Sequence, residues 1–77
     1  MELPMNELKE AIRIGDEIEL YYNDDQALIE PDYKGGWILS FKSDINHDIK
    51  LDGFNDIVSY KYKGGSLFDN LKDYQIY

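Results

Sequence analysis

Seventy-seven residues, sixteen of them Asp or Glu against eight Lys or Arg, carry a formal net charge of −8. That length fits one small acidic domain, 1–77, near the limit at which a single core sustains folding unaided. The lack of cysteine excludes disulfides, thiolate metal sites and cysteine nucleophiles, and a pI near 4.3 argues against binding a phosphate backbone directly.

The chain is nonetheless built to fold, because seven tyrosines and nine isoleucines set it apart from acidic disordered segments. Helical spacing of Met5, Leu8, Ala11 and Ile12 predicts a first helix over about 5–14. Pro4 suits its first turn, with Asn6 as an alternative cap, and Gly15 suits its C-terminus. Alternation then takes over. Ile18, Leu20 and Tyr22 point one way from a first strand, and Glu17, Glu19 and Tyr21 point the other. Turn chemistry at Asn23–Gln26 leads to a second strand, Ala27–Glu30. Residues Pro31–Gly36 form a second turn before a third strand at Trp37–Lys42.

A polar loop is expected over Ser43–Asp48, followed by a short strand at Ile49–Leu51. Asn55 is expected to cap a short helix through Ile57, Val58 and Tyr60, which Lys63-Gly64-Gly65 ends. Ser66 and Asp69 then read as a capping box opening a last helix through Leu71 and Tyr74. The expected fold is α+β: an N-terminal helix, a three- to four-stranded antiparallel meander, and two short C-terminal helices on one face. Trp37, Phe41, Phe54 and Phe68 are assigned to the core. The six tyrosines Tyr21, Tyr33, Tyr60, Tyr62, Tyr74 and Tyr77 exceed what so small an interior holds, so several belong at the surface.

Few residues point to chemistry. Asp44, Asn46 and Asp48 reproduce the opening of a calcium loop, but Ile49 and Asn55 stand where the turn glycine and the closing glutamate belong. No metal site and no cofactor are expected. His47 is the only histidine, in a polar segment, and none of the four serines lies in a nucleophile motif, so no enzyme is expected. The tetrapeptide Tyr-Lys-Gly-Gly occurs at Tyr33–Gly36 and Tyr62–Gly65; the second copy makes Lys63, Gly64, Gly65 and Ser66 a candidate ligand turn for a phosphate or nucleotide.

Acidity is the stronger signal. Asp16, Glu17, Glu19, Asp24, Asp25, Glu30 and Asp32 follow Arg13 with no basic residue before Lys34. With Tyr21 they form the candidate partner-binding surface, suited to a basic protein such as a nuclease or nucleic-acid-binding protein. The same charges also serve solubility and edge protection. No membrane span is expected, nor a secretion signal at Met1–Met5, so the protein is expected in the cytoplasm of a bacterial host. Abundant Ile, Lys, Asn and Tyr point to an AT-rich bacterium or phage.

The run Ala11-Ile12-Arg13-Ile14-Gly15-Asp16-Glu17-Ile18-Glu19-Leu20-Tyr21-Tyr22-Asn23 resembles a motif of small uncharacterised proteins of low-GC Gram-positive bacteria and their prophages. Gly36-Trp37-Ile38-Leu39 and Gly64-Gly65-Ser66-Leu67 extend the resemblance, and Leu20 departs from it where an aromatic is common. It implies an origin and an α+β fold and carries no activity. In size and charge the chain is also similar to phage-encoded anti-CRISPR and other anti-defence inhibitors, which implies occlusion of a basic partner. Sequestration of a nucleotide and self-association as a homodimer are the alternative readings.

Overall fold

The computed structural model describes residues 2–77. Helix α1, Met5–Ile14, follows Pro4, whose carbonyl accepts the Leu8 amide and whose side chain offers no cap. Asn6 lies inside the helix and caps nothing. Gly15, in the left-handed region at φ 81°, ends α1 by donating to the Ala11 carbonyl, as the sequence predicts. Leu8 and Ala11 are buried, whereas Met5 is largely exposed and Leu3 takes the core position beside the helix.

Four strands follow as an antiparallel meander: β1 Ile18–Tyr21, β2 Gln26–Pro31, β3 Trp37–Phe41 and β4 Asp44–Leu51. A short helix α2, Phe54–Ser59, and a last strand β5, Asp73–Ile76, complete the fold. The sheet order is β4-β3-β2-β1-β5, so β5 adds to the free edge of β1. Ile18 is paired with both Ile29 and Ile76, and Leu20 with both Ala27 and Tyr74.

Two expectations are corrected. Ser43–Asp48 is not a loop: Lys42 and Ser43 make the turn, and β4 begins at Asp44. This edge strand is exposed along most of its length, so no apolar alternation marks it, and a bulge opposite Leu39–Phe41 breaks its register. Nor are there two C-terminal helices. Helix α2 starts after Gly53, with Asn55 inside it, and Asp56 accepts the Asp52 amide at 2.8 Å.

The capping-box bonds at Ser66 do form, with the Ser66 amide on the Asp69 carboxylate and the Phe68 amide on Ser66 Oγ. The chain turns once there and leaves for β5 instead of continuing as a helix. Tyr74 and Ile76 alternate with Asp73 and Gln75, and pairing with β1 outweighs the local helical signal.

One apolar cluster joins the helices to a single face of the sheet. Leu8, Ala11 and Ile57 meet Ile18, Leu20, Ile29 and Leu39, all essentially buried. Each of the leucine and isoleucine side chains contributes about 1.5–3 kcal/mol of burial. Trp37 and Phe68 join this core, and Phe41 and Phe54 pack against it half-buried. Gly36, at φ 79°, lies so close to β4 that a Cβ would approach the Leu51 carbonyl oxygen to 2.9 Å.

At one end of the core, Tyr62 stacks on Phe41 at 5.1 Å and tilts against Tyr22 at 4.8 Å. The Tyr22 hydroxyl donates to the Leu67 carbonyl at 2.6 Å, while the buried Tyr62 hydroxyl has no partner among the described residues. An unpaired buried hydroxyl destabilises, and a paired one contributes about 1 kcal/mol. Urea denaturation should therefore find Tyr62→Phe neutral or more stable than wild type, and Tyr22→Phe less stable by about 1 kcal/mol.

Candidate functional site

Both helices pack on the face that carries Ile18, Leu20 and Ile29, so the opposite face of the sheet is left uncovered. Strand alternation places Glu17, Glu19 and Tyr21 there, beside Leu28 and Glu30 of β2, Ile38 and Ser40 of β3, and Gln75 and Tyr77 at β5. Of the remaining predicted residues, Asp16, Asp24 and Asp25 lie off this face, whereas Asp32 sits at its edge beside Lys50, which the register sets across from Ile38. Asp24 and Asp25 occupy the β1–β2 turn, Asp32 the β2–β3 turn at the other end of β2, and Asp16 the connection from α1. The eight candidates thus trace the hairpin from end to end and do not converge on one point.

Their partners divide them further. Glu19 is the hub of a polar network: Oε2 accepts from the Tyr21 hydroxyl at 2.6 Å and from Gln26 Nε2 at 2.7 Å, and Oε1 accepts from the Tyr77 hydroxyl at 2.5 Å. The Tyr21 bond, then the Tyr77 bond, hold its carboxyl below the usual carboxylate range, while hydrogen bonding to Glu19 drives the Tyr21 phenol well upward. Glu19 therefore orders two tyrosines of the uncovered face.

Asp25 is structural as well. Its carboxylate accepts the amides of Gln26 at 2.9 Å and Ser43 at 3.0 Å and the Ser43 hydroxyl at 2.5 Å, tying the β1–β2 turn to the β3–β4 turn. Desolvation pushes its carboxyl up, but the bonds from Ser43 and Gln26 outweigh it, and the net shift is downward. Asp24 pairs with Lys63 at 2.8 Å, and Asp32 pairs with Lys50 while accepting the Lys34 amide at 3.0 Å. Those bonds, from Lys63 and from Lys50 respectively, lower both carboxyls.

Asp16, Glu17 and Glu30 have no ion-pair or side-chain hydrogen-bond partner among the described residues. Continuing the Ile18–Ile29 register by one residue sets Glu17 directly across from Glu30. Like charges so placed destabilise a sheet. This opposed, uncompensated pair is the electrostatic feature of the uncovered face.

The candidate ligand turn spends its donors internally. Lys63 and Gly64 take left-handed conformations, at φ 50° and 82°, in a tight hairpin closed by Tyr62 and Gly65. Asp69 then occupies the space in front of it, accepting the Ser66 amide at 2.9 Å and the Ser66 hydroxyl at 3.0 Å. A Cβ on Gly65 would fall 2.2 Å from the same carboxylate, so a side chain there would displace Asp69 from this position. An internal carboxylate thus sits where a phosphate would have to bind. In β4, Asp44 Oδ2 lies 3.0 Å from His47 Nδ1, within hydrogen-bond distance, and no group of three or more metal-ligating side chains converges among the described residues. Nor is any helix there long and apolar enough to cross a membrane.

Sequence reasoning missed Leu28, Ile38, Ile45 and Gln26 as members of this face. Alternation along Ala27–Glu30 and Trp37–Lys42 would have found the first two. Tyr77 became visible only through β5.

No family model, curated protein or solved structure matches the chain significantly.

The depressed carboxyls fix how stability depends on pH. A group whose folded pKa lies below its unfolded value stabilises above the unfolded value, and that stabilisation is lost as pH falls through the folded one. Urea midpoints should therefore drop as pH falls from about 5 towards 3. Asp25→Asn, which removes the charge and replaces the oxygen that accepts the Ser43 hydroxyl with a donor, should lower the midpoint at pH 7 and flatten this slope; an unchanged slope would show that Asp25 does not contribute.

Proposed function

We propose that the chain is a non-enzymatic inhibitor that binds a basic nucleic-acid-binding protein and occludes the surface on which phosphates would lie. Its setting is a phage or mobile element, and its target a nuclease or similar component of bacterial defence of the kind met by anti-CRISPR proteins. The observation that carries this reading is the uncovered sheet face, where Glu17 and Glu30 oppose one another with no ion-pair partner among the described residues. A fold gains nothing from such a pair, whereas a guanidinium or ammonium of a partner relieves it.

Several features support protein binding rather than catalysis or small-molecule capture. Tyr21 and Tyr77, ordered by Glu19, present large rings with polar tips beside the carboxylates. The remaining carboxylates, paired or not, add to a negative field that speeds encounter with a basic partner. The contact set within the predicted surface narrows to Glu17, Glu30 and Tyr21, with Glu19 positioning the ring. Asp24, Asp25 and Asp32 act through the fold and the field.

Relief of repulsion makes stability and binding move in opposite directions. Glu30→Gln should raise stability by about 0.2–1 kcal/mol in urea denaturation. The double variant Glu17→Lys/Glu30→Lys should abolish salt-sensitive capture of nucleic-acid-binding proteins from a bacterial lysate. Wild-type capture should fade between low and high salt and be competed by an oligonucleotide. Undiminished capture by the double variant would overturn the reading.

A further inference from the structure

The uncovered face holds one feature that charge alone does not explain. Ile45, in the bulged part of β4, is 71 % exposed although its neighbours Asp44, Asn46, His47 and Asp48 are all polar. It stands at the rim of an open groove of about 340 Å³ whose other walls include Leu28, Gln26, Ser40 and Lys42. Leu28 lies at the centre of the sheet, two residues along β2 from Glu30, which is about 7 Å of strand.

The groove is held open by the bonds already described. Gln26 on one wall is fixed by Glu19, and the Lys42 amide donates to the Gln26 carbonyl at 2.8 Å. Asp25 anchors Ser43, and so holds the turn from which β4 and Ile45 depart. A site ordered before its occupant arrives loses less entropy on binding.

We infer that this groove seats one apolar side chain of a basic, amphipathic segment of the partner, placed between Leu28 and Ile45 while neighbouring cations lie on Glu17 and Glu30. The inference rests on the reading of the chain as a binder of basic proteins and specifies which surface, and which kind of segment, makes the contact.

Charge and area select this occupant. A second copy would bring another charge of −8 against the same carboxylates, and an anionic lipid surface is repelled in the same way. Five strands at about 4.8 Å spacing make a face about 24 Å wide, the footprint of a single helix or extended segment. It is small for the roughly 800 Å² per partner that two globular surfaces bury in a stable complex. An apolar anchor within a charged rim is also the usual division between affinity and steering at protein interfaces.

The test uses the full chain and two fluorescein-labelled synthetic peptides of about twelve residues with identical Lys and Arg content. One carries leucines at helical spacing, and the other has serine at those positions. Fluorescence anisotropy at low salt should show the leucine peptide binding at least about tenfold more tightly. Leu28→Ser and Ile45→Ser should each erase most of that difference and leave binding of the serine peptide unchanged. Ile14→Ser, which removes an exposed apolar side chain from α1, should alter neither. Urea midpoints for the three variants establish that each is folded. Equal affinity for the two peptides, or a leucine preference that survives Ile45→Ser, overturns the groove while leaving the acidic-surface reading intact. Failure of both peptides to bind at low salt overturns that reading too.

Discussion

Strand β1 is hydrogen-bonded on both sides, and that pairing fixes everything else in the molecule. Ile18 and Leu20 are driven into the core by burial, and strand geometry leaves Glu17, Glu19 and Tyr21 no choice but the opposite face. A one-residue slip would bury the acids and expose the isoleucine, so the register is defended by the whole apolar cluster. The uncovered face is thus the unavoidable complement of the covered one. With only α1 and α2 to lay on a five-stranded sheet, one side stays open.

The carboxylates of the molecule do different work according to their neighbours. Glu19 and Asp25 are consumed by hydrogen bonds that order side chains and join turns, and Asp69 fills the turn at Gly65. Glu17 and Glu30 oppose one another across adjacent strands with no ion-pair partner among the described residues. Net charge describes all sixteen acids alike, whereas the geometry separates those engaged in hydrogen bonds from those without a side-chain partner among the described residues.

How much of this was legible in the sequence depended on whether a signal was local. Helix α1, its Gly15 terminus and strands β1 to β3 follow from periodicity and turn residues, because each buries one face and shows it. The exposed first part of strand β4 was hidden because an edge strand in solvent has no apolar alternation to display, whereas its end at Ile49–Leu51 was expected as a strand. Strand β5 was misread for the opposite reason: a genuine capping box at Ser66 and the spacing of Leu71 and Tyr74 mimic a helix start, and only the vacant edge of β1 overrides them. Glu17 and Glu19 could be placed on one face in advance. Their differing fates could not, since Tyr77 reaches Glu19 from 58 positions away.

That separation also orders the events of folding. The meander is assembled from neighbours in the chain, so its strands close short loops, whereas β5 must find β1 across nearly the full sequence. The docking of four residues, steadied by the Tyr74 hydroxyl on Glu7 at 2.9 Å, is therefore the late step. Before it, β1 is an exposed edge and Glu19 lacks its Tyr77 partner. The Tyr77 ring that borders the uncovered face reaches Glu19 only through this last strand, so that face is completed by the far end of the chain.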